Sequence, residues 1–199
     1  MNNRQFEVLS KEIVYAGFFN LEKYSLRHSL FKGGWSEPLS RELFRRNNCV
    51  AVLLYDPDRD AVVLTEQFRV GAIQQPDRAW LLEIVAGAIE AGETAEQVAY
   101  RESYEEAGCE ISELVEIMQF YTTPGGSSER ITLYLGRVDS SLTGGVHGLS
   151  EEGEDILVTA LPAAEVFALL EAGRIENGIA IIAIQWLFIH HQRLLSQWR

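Results

Sequence analysis

The sequence is poor in cysteine, which limits the kinds of site it can form. Cys49 and Cys109 are the two cysteines among 199 residues. They lie far apart, and neither has a histidine or second cysteine at a metal-ligand spacing. We therefore expect both to be reduced, buried side chains of apolar character, which excludes a disulfide framework and a thiolate metal site.

Positive charge is also scarce. Lysine and arginine number 17 against 29 aspartates and glutamates, which gives a net charge of -12. Proteins that bind nucleic-acid backbones carry clustered basic residues. Nucleic acid is therefore not expected as a partner. The same negative charge repels a phosphorylated ligand unless metal ions and a few arginines offset it locally.

Long apolar runs are missing as well. No run approaches the roughly 20 residues that a membrane-spanning helix needs. The first seven residues, Met-Asn-Asn-Arg-Gln-Phe-Glu, lack the charged and then apolar order of a signal peptide. We expect a cytoplasmic protein without a membrane partner.

The chain does contain enough hydrophobic residues to form one hydrophobic core. Hydrophobic residues make up 47% of the sequence, enough for a single domain with an appendage. Strand-like and helix-like segments alternate along the chain, so we predict an α/β protein, an α/β/α sandwich with a mixed sheet. The predicted strands cover 6–15, 20–31, 49–55, 61–68, 79–85, 114–122, 130–138 and 158–161, and the predicted helices 94–108, 163–172 and 178–196.

The first 47 residues are β-rich and add strands to what the main domain, residues 48–199, requires. A sheet of two or three strands is marginally stable by itself. It either docks on a second subunit or extends its own domain, and the residues alone leave both open.

Acidic residues crowd one face of the helix predicted at 94–108. Thr94 with Gln97 forms a capping box that starts the helix, and Gly108 is placed to end it. Three carboxylates stand at positions i, i+3 and i+4, which share one face: Glu102, Glu105 and Glu106. Such a face is either fully solvated, with Arg101 paired to Glu105, or it binds a divalent cation.

The stretch 87–109 reads Gly-x5-Glu-x7-Arg-Glu-x-x-Glu-Glu-x-Gly-x, and it resembles the Nudix box of nucleoside-diphosphate-linked hydrolases. Ser103 and Cys109 depart from the pattern, because bulky aliphatic residues are usual there. Seven residue identities at set intervals favour the cation over the solvated face. The motif positions expected to be structural are Gly87, Glu93, Arg101 and Gly108, with Arg101 paired to Glu93.

The resemblance implies a metal site. Mg²⁺ is the expected ion, with Mn²⁺ able to substitute, because carboxylate and water ligands suit both. The expected ligands are the Ala86 carbonyl and the side chains of Glu102 and Glu106, with Glu105 as a further ligand or as a bridge to the metal through water. Glu105 and Glu106 are also expected to take part in catalysis.

Two loops carry further implications. Pro124, in the loop 121–130, lies fifteen residues beyond Cys109, and with the glycines after it resembles a feature of the ADP-ribose pyrophosphatase branch. The loop 139–155 is long enough to be a lid. The resemblance places the general base there at Glu152, with Glu154 as an alternative base or added metal ligand.

Substrate contacts are implied by the same resemblance. Phe18 and, from the partner subunit of a homodimer with exchanged N-terminal regions, Arg41 would stack on adenine. Arg69 would lie near the phosphates and Glu129 near a ribose. His147, His190 and His191 receive no role, and His190 and His191 are expected to face solvent or a helix terminus.

The implied function is hydrolysis of the diphosphate of ADP-ribose, a small nucleoside diphosphate sugar, to AMP and ribose 5-phosphate. Two alternatives remain. One is a hydrolase of another nucleoside diphosphate sugar, such as GDP-mannose. The other is a non-catalytic ADP-ribose sensor, although such a protein is expected to have lost glutamates of the box.

Overall fold

The structure is a computed structural model that describes residues 4–198, apart from the side chain of Glu152. The chain separates into two compact units. The first consists of Met1–Asn48 and Tyr121–Arg130, and the second of Cys49–Phe120 and Ile131–Arg199.

The first unit contains a three-stranded antiparallel sheet in the order β1-β2-β3. Its strands are β1 (Phe6–Ala16), β2 (Asn20–His28) and β3 (Leu39–Arg45). Every residue of β1 is exposed, including apolar side chains such as Phe6, at 75% exposure, and Tyr15, at 65%. The sheet therefore presents an apolar surface that the described residues of the chain leave in contact with solvent.

The second unit is built on an eight-stranded mixed sheet. Its central strand β4 runs parallel to β9 and antiparallel to β5 and β7. The strands are β4 (Cys49–Asp56), β5 (Ala61–Phe68), β6 (Trp80–Glu83), β7 (Val85–Ala88), β8 (Glu113–Tyr121), β9 (Arg130–Arg137), β10 (Gly145–His147) and β11 (Ile156–Pro162).

Helices cover both faces of this sheet: α1 (Ala95–Ala107), α2 (Ala163–Glu171) and α3 (Gly178–Trp198). Alternate residues of β4 enter two separate clusters, because successive side chains of a strand point to opposite faces. Leu53 and Tyr55 pack with α2 and α3, whereas Val52 and Leu54 pack with Val98 of α1. The predicted α/β/α sandwich with a mixed sheet is confirmed.

The single buried strand predicted at 79–85 is wrong. The segment forms β6, which pairs with β5, and β7, which pairs with β4. Strands β4 and β5 pair with each other only at the positions from Leu54 to Asp56, so β6 and β7 fill the space where they diverge. The chain changes partners at Ile84, and Trp80, at the outer end of β6, is 58% exposed.

The loop 139–155 is more structured than the sequence predicts. Residues 145–147 form β10, antiparallel to β11, and Ser150–Glu152 form a short 3-10 helix. Glycines permit these sharp changes of direction, since Gly145 and Gly148 adopt φ values of 97° and 99°, which L side chains rarely adopt.

Helix α3 contacts the turn between β4 and β5 through His191, and this corrects the expectation for that residue. Its side chain is 14% exposed, and its Nε2 lies 2.6 Å from Oδ1 of Asp60. The Tyr55 hydroxyl donates to the same oxygen at 2.8 Å. Within residues 4–198, no helix is long and apolar enough to cross a lipid bilayer.

A buried carboxylate fixes the start of that turn and gives a stability prediction. Asp56 is 1% exposed. Its Oδ1 accepts the backbone N–H groups of Asp58 and Arg59 at 3.0 Å each. Its Oδ2 accepts the Ser140 N–H at 2.8 Å and hydroxyl at 2.7 Å. Burial raises the pKa of Asp56, but these hydrogen bonds outweigh it and hold the pKa below its ordinary value of 3.8.

We expect Asp56→Asn to lower the free energy of unfolding by about 2 kcal/mol at pH 7, because hydrogen bonds to a charged group are lost. A lowered folded-state pKa stabilises above the unfolded pKa, and the benefit disappears as pH falls through the folded value. The difference between variant and wild type should therefore shrink below about pH 4. Urea unfolding at pH 7 and pH 3 measures it, with the exposed Asp58→Asn as control; a difference independent of pH contradicts the assignment.

Candidate active site

Helix α1 begins and ends where the sequence predicts. The Thr94 side chain accepts from the Gln97 N–H, and the Gln97 side chain accepts from the Thr94 N–H, so the capping box is complete. Gly108 ends the helix in the left-handed conformation with φ 62°. Val98 and Ala99 are fully buried against the sheet, which fixes the rotation of the helix and hence the direction of its acidic face.

The acidic face is not a solvated one. Glu106 is 3% exposed, and the side chains of Glu102 and Glu105 are 13% and 27% exposed. Burying carboxylates is costly unless they are paired or coordinate a cation. The graded burial therefore argues against an ordinary acidic surface helix.

Glu106 is the most buried of the three. Its Oε2 accepts the backbone N–H of Ala86 at 3.0 Å, which joins α1 to β7. Burial, together with the charges of Glu102 and Glu154, raises the pKa of Glu106 to about 8, although the Ala86 hydrogen bond acts in the opposite direction. Because burial disfavours the charged form of Glu106, a divalent cation that replaces the proton would stabilise the carboxylate there.

Glu102 occupies a space that only glycine leaves open. A Cβ on Gly87 would lie 1.9 Å from Oε1 of Glu102 and 2.1 Å from its carboxyl carbon, so Gly87 permits the carboxylate to lie against β7. Burial raises the pKa of Glu102 above its ordinary value even though Arg101 opposes the shift. The glycine at position 87, fifteen residues before Glu102, thus has a steric reason.

Arg101 offsets part of this negative charge. Its Nε and Nη2 donate to Glu93 at 3.0 and 3.2 Å, which confirms the predicted pair. Its Nη1 donates to Glu102 at 2.8 Å and to Glu105 at 3.0 Å. Glu93 also accepts the Glu90 N–H at 3.0 Å. One guanidinium therefore ties the loop before the helix to two of the acidic side chains.

The loop after β10 supplies a fourth acid. Glu154 accepts the Leu149 N–H at 2.9 Å, and its charge raises the pKa of both Glu102 and Glu106, so it belongs to the same electrostatic cluster. Glu152 lies in the short 3-10 helix two residues earlier. Its side chain, the predicted general base, lies outside the described part of the structure.

These residues fit a hard divalent cation. The donors are carboxylate oxygens, which such cations prefer, and they are buried together without equal positive charge. Among the described side chains, no three acidic, histidine or cysteine groups already converge as a ligand set, since Arg101 engages Glu102 and Glu105. Each carboxylate has two oxygens, so Glu102 and Glu105 could bind a cation through the oxygen that Arg101 does not contact.

The predicted substrate contacts fall in different parts of the chain. Arg69 follows β5 in the second unit, and its Nη2 donates to Glu83 at 2.7 Å. In the first unit, Phe18 is 95% exposed, and Arg41 is exposed and donates to the carbonyl of its neighbour Ser40. Glu129, also in the first unit, pairs with Arg46 at 2.8 Å.

Comparison with known proteins agrees with this geometry. The NUDIX domain family matches residues 45–179. The chain belongs to the NUDIX family. The ADP-ribose pyrophosphatase of Escherichia coli strain K12 is 43% identical over 192 residues, which cover 96% of this chain and 92% of that protein. The GDP-mannose pyrophosphatase of Pectobacterium atrosepticum is 30% identical over 184 residues, which cover 92% of this chain and 94% of that protein.

A crystal structure of an ADP compounds hydrolase supports the NUDIX fold. It superposes with a TM-score of 0.71 and covers 97% of this chain and 96% of its own, at 20% sequence identity. Likeness at this identity concerns the fold. The family match and the superposition together place the acidic cluster of α1 on the NUDIX scaffold.

Ser103 and Cys109, the two residues that depart from the box pattern, are both buried in this NUDIX chain. Ser103 is fully buried, and its hydroxyl has no hydrogen-bond partner among the described residues. Cys109 is 3% exposed, and its sulfur lies 3.4 Å from the Thr143 hydroxyl. Cys109 is a buried thiol, as expected, whereas Cys49 is half-buried, which corrects the expectation that both cysteines are buried.

Sequence reasoning missed Glu83 and Asn177. Glu83 is 3% exposed and binds Arg69, while the Asn177 side chain donates to Glu83 at 2.8 Å. A glutamate within a hydrophobic strand was the available signal, because such a residue is rarely buried without a partner. Nothing in the linear sequence relates Asn177 to it across 94 residues.

Proposed function

We propose that this chain is a hydrolase of ADP-ribose, which it cleaves with one water molecule to AMP and ribose 5-phosphate. The observation that carries the proposal is the buried pair Glu102 and Glu106. The absence of a side chain at Gly87 leaves room for the Glu102 carboxylate, and the Ala86 N–H donates to Glu106. The ADP-ribose pyrophosphatase of Escherichia coli, 43% identical to this chain, supports the choice of substrate.

The residues that would hold the metal are Glu102, Glu106, Glu105 and the Ala86 carbonyl, with Glu154 as an added ligand, and we propose Mg²⁺, which Mn²⁺ can replace. When bound, the ion neutralises phosphate oxygens and makes water a better nucleophile. Glu106 is oriented for this task by the Ala86 N–H, and Arg101 holds the loop through Glu93. Arg69 brings positive charge within electrostatic reach of Glu106 and Glu154.

Proton removal is assigned to Glu152, with Glu154 as the alternative base. We expect Glu152→Gln to lower kcat by about 10² to 10⁴, the usual contribution of a general base, while metal binding persists. Steady-state kinetics with calorimetry of Mg²⁺ uptake measures both. Glu151→Gln, an exposed neighbour, is the control. Full turnover by the Glu152 variant would assign the base elsewhere.

We also propose a homodimer in which residues 1–47 act as the dimerisation region and residues 48–199 as the hydrolase domain. The exposed apolar side chains of β1 support it, since large apolar surfaces mark interaction sites. Phe18 and, from the partner subunit, Arg41 are proposed to stack on adenine, and Glu129 is proposed to lie near a ribose. Cytoplasmic localisation stays a prediction from the sequence.

The experiment that tests the function is a substrate panel with purified protein, Mg²⁺ and a chelator control. We expect AMP release from ADP-ribose at a higher kcat/KM than GMP release from GDP-mannose, and no release in EDTA. The 30% identity to a GDP-mannose pyrophosphatase favours GDP-mannose as the second candidate. Preference for GDP-mannose would overturn the substrate assignment, and binding of ADP-ribose without metal-dependent hydrolysis would support the sensor.

A further inference from the structure

One side chain connects helix α3 to the buried glutamate of β6. Asn177 immediately precedes α3, and its Oδ1 accepts the backbone N–H groups of Ile179 at 2.9 Å and Ala180 at 3.1 Å. Its Nδ2 donates to Oε1 of Glu83 at 2.8 Å. Asn177 therefore has two separable tasks, since one end caps the helix and the other contacts Glu83.

Glu83 in turn orients Arg69. Its Oε2 accepts Nε of Arg69 at 3.1 Å and Nη2 at 2.7 Å, so the carboxylate occupies the Nε/Nη2 edge of the guanidinium. Among the described residues, Nη1 of Arg69 has no hydrogen-bond partner, and the Arg69 side chain is 44% exposed. The remaining Nη1/Nη2 edge presents parallel N–H donors, the arrangement that matches two oxygens of a phosphate.

Asn177, Glu83 and Arg69 thus form a hydrogen-bonded chain from the start of α3 to the Nη1/Nη2 edge of Arg69. Glu83 is 3% exposed, and with Asn177 on one oxygen its carboxylate cannot rotate without losing a buried hydrogen bond. An arginine fixed beforehand loses less conformational entropy when a ligand binds. Preorganisation of this kind is what a phosphate-binding arginine requires.

We propose that Asn177 is a positioning residue for diphosphate recognition, which holds Glu83 so that the free edge of Arg69 faces the substrate. This rests on the proposed function, in which Arg69 binds the diphosphate of a nucleoside diphosphate sugar. The competing explanation is that Asn177 only caps α3. The two tasks of its side chain allow the explanations to be separated.

Asn177→Asp and Asn177→Ser test the proposal. Both retain an oxygen that caps the helix, but neither retains the amide donor to Glu83. We expect each to raise KM for the hydrolysed substrate about tenfold, the effect of one charge-assisted hydrogen bond, with kcat changed less than threefold. Tm should fall in both variants because the buried Glu83 loses a donor, and it should fall further in Asn177→Asp, whose carboxylate would lie against that of Glu83. Glu176→Gln, an exposed neighbour paired with Arg78, is the matched control and should leave KM unchanged.

A double-mutant cycle identifies the route of the effect. If Asn177 acts through Arg69, Asn177→Ser should raise KM no further in an Arg69→Ala background. If Asn177 had a purely structural role, its effect on KM would persist in that background. Unchanged KM in both Asn177 variants, or an undiminished effect without Arg69, would overturn the proposal.

Failure of the ADP-ribose assignment can be distinguished from failure of the positioning role. If the panel selects GDP-mannose, the KM values of the Asn177 variants and the wild type are compared for GDP-mannose instead, because both substrates contain a diphosphate. Binding of inorganic pyrophosphate with Mg²⁺ present, measured by calorimetry, does not depend on hydrolysis of a nucleoside diphosphate sugar. We expect about tenfold weaker binding in both Asn177 variants, and a wild-type chain that does not bind pyrophosphate would count against the positioning role itself.

Discussion

Replacing Glu106 with glutamine is expected to lower kcat for ADP-ribose by about 10³-fold or more, because a metal contributes several kcal/mol of transition-state stabilisation and each 1.4 kcal/mol is tenfold in rate. Glu106 is the most buried acid of α1, at 3% exposure. A neutral amide at this position provides a weaker ligand for a divalent cation. Calorimetry should detect weakened Mg²⁺ uptake in parallel with the loss of turnover.

The same substitution should not destabilise the metal-free protein. Glutamine keeps an oxygen that can accept the Ala86 N–H, and it replaces a group whose charged form is costly to bury. We therefore expect Tm in EDTA to equal or exceed that of the wild type. Glu96→Gln, exposed on the same helix, should leave kcat unchanged. A stable Glu106→Gln variant with wild-type turnover would refute the metal site.

Gly87→Ala is expected to lower kcat/KM about 100-fold with little loss of stability. The added Cβ would overlap the carboxylate of Glu102, its Oε1 lying 1.9 Å away. That carboxylate is the end of a flexible side chain, so it moves instead of the backbone. Displacements of about 1 Å in a catalytic group can cost about 10² in rate. Steady-state kinetics and thermal unfolding measure the two effects.

Two comparisons make the Gly87 result specific. If the alanine acts by displacing Glu102, then Gly87→Ala should cost little further activity in a Glu102→Gln background. Gly178→Ala, where a Cβ would meet no atom within 4 Å, should retain activity. Full additivity of Gly87→Ala and Glu102→Gln would show that the glycine acts through something other than that carboxylate.

Local signals in the sequence were sufficient for helix α1. Thr94 with Gln97 defines its start and Gly108 its end, since capping depends on hydrogen bonds between residues three or four positions apart. The hairpin of β4 and β5 was predictable for the same reason. The NUDIX motif then identified Gly87 and the glutamates of α1 as a candidate metal site.

Segments whose conformation depends on distant partners were predicted less well. Residues 80–88 split into β6 and β7 because β5 and β4 diverge, and no local pattern records that divergence. Residues 145–147 become β10 because β11 offers them an edge to pair with. The partial burial of His191 likewise depends on Asp60, 131 residues earlier in the chain.

The sequence by itself determined the α/β class, the limits of α1 and the spacing of the acids, because these follow from composition and from contacts within a few residues. Only the tertiary structure decided how deeply each acid is buried, why Gly87 must lack a side chain, and that Asn177 and Arg69 both hydrogen-bond to Glu83. Burial and long-range hydrogen bonds are set when separate strands and helices pack together, and the linear order of residues does not specify them.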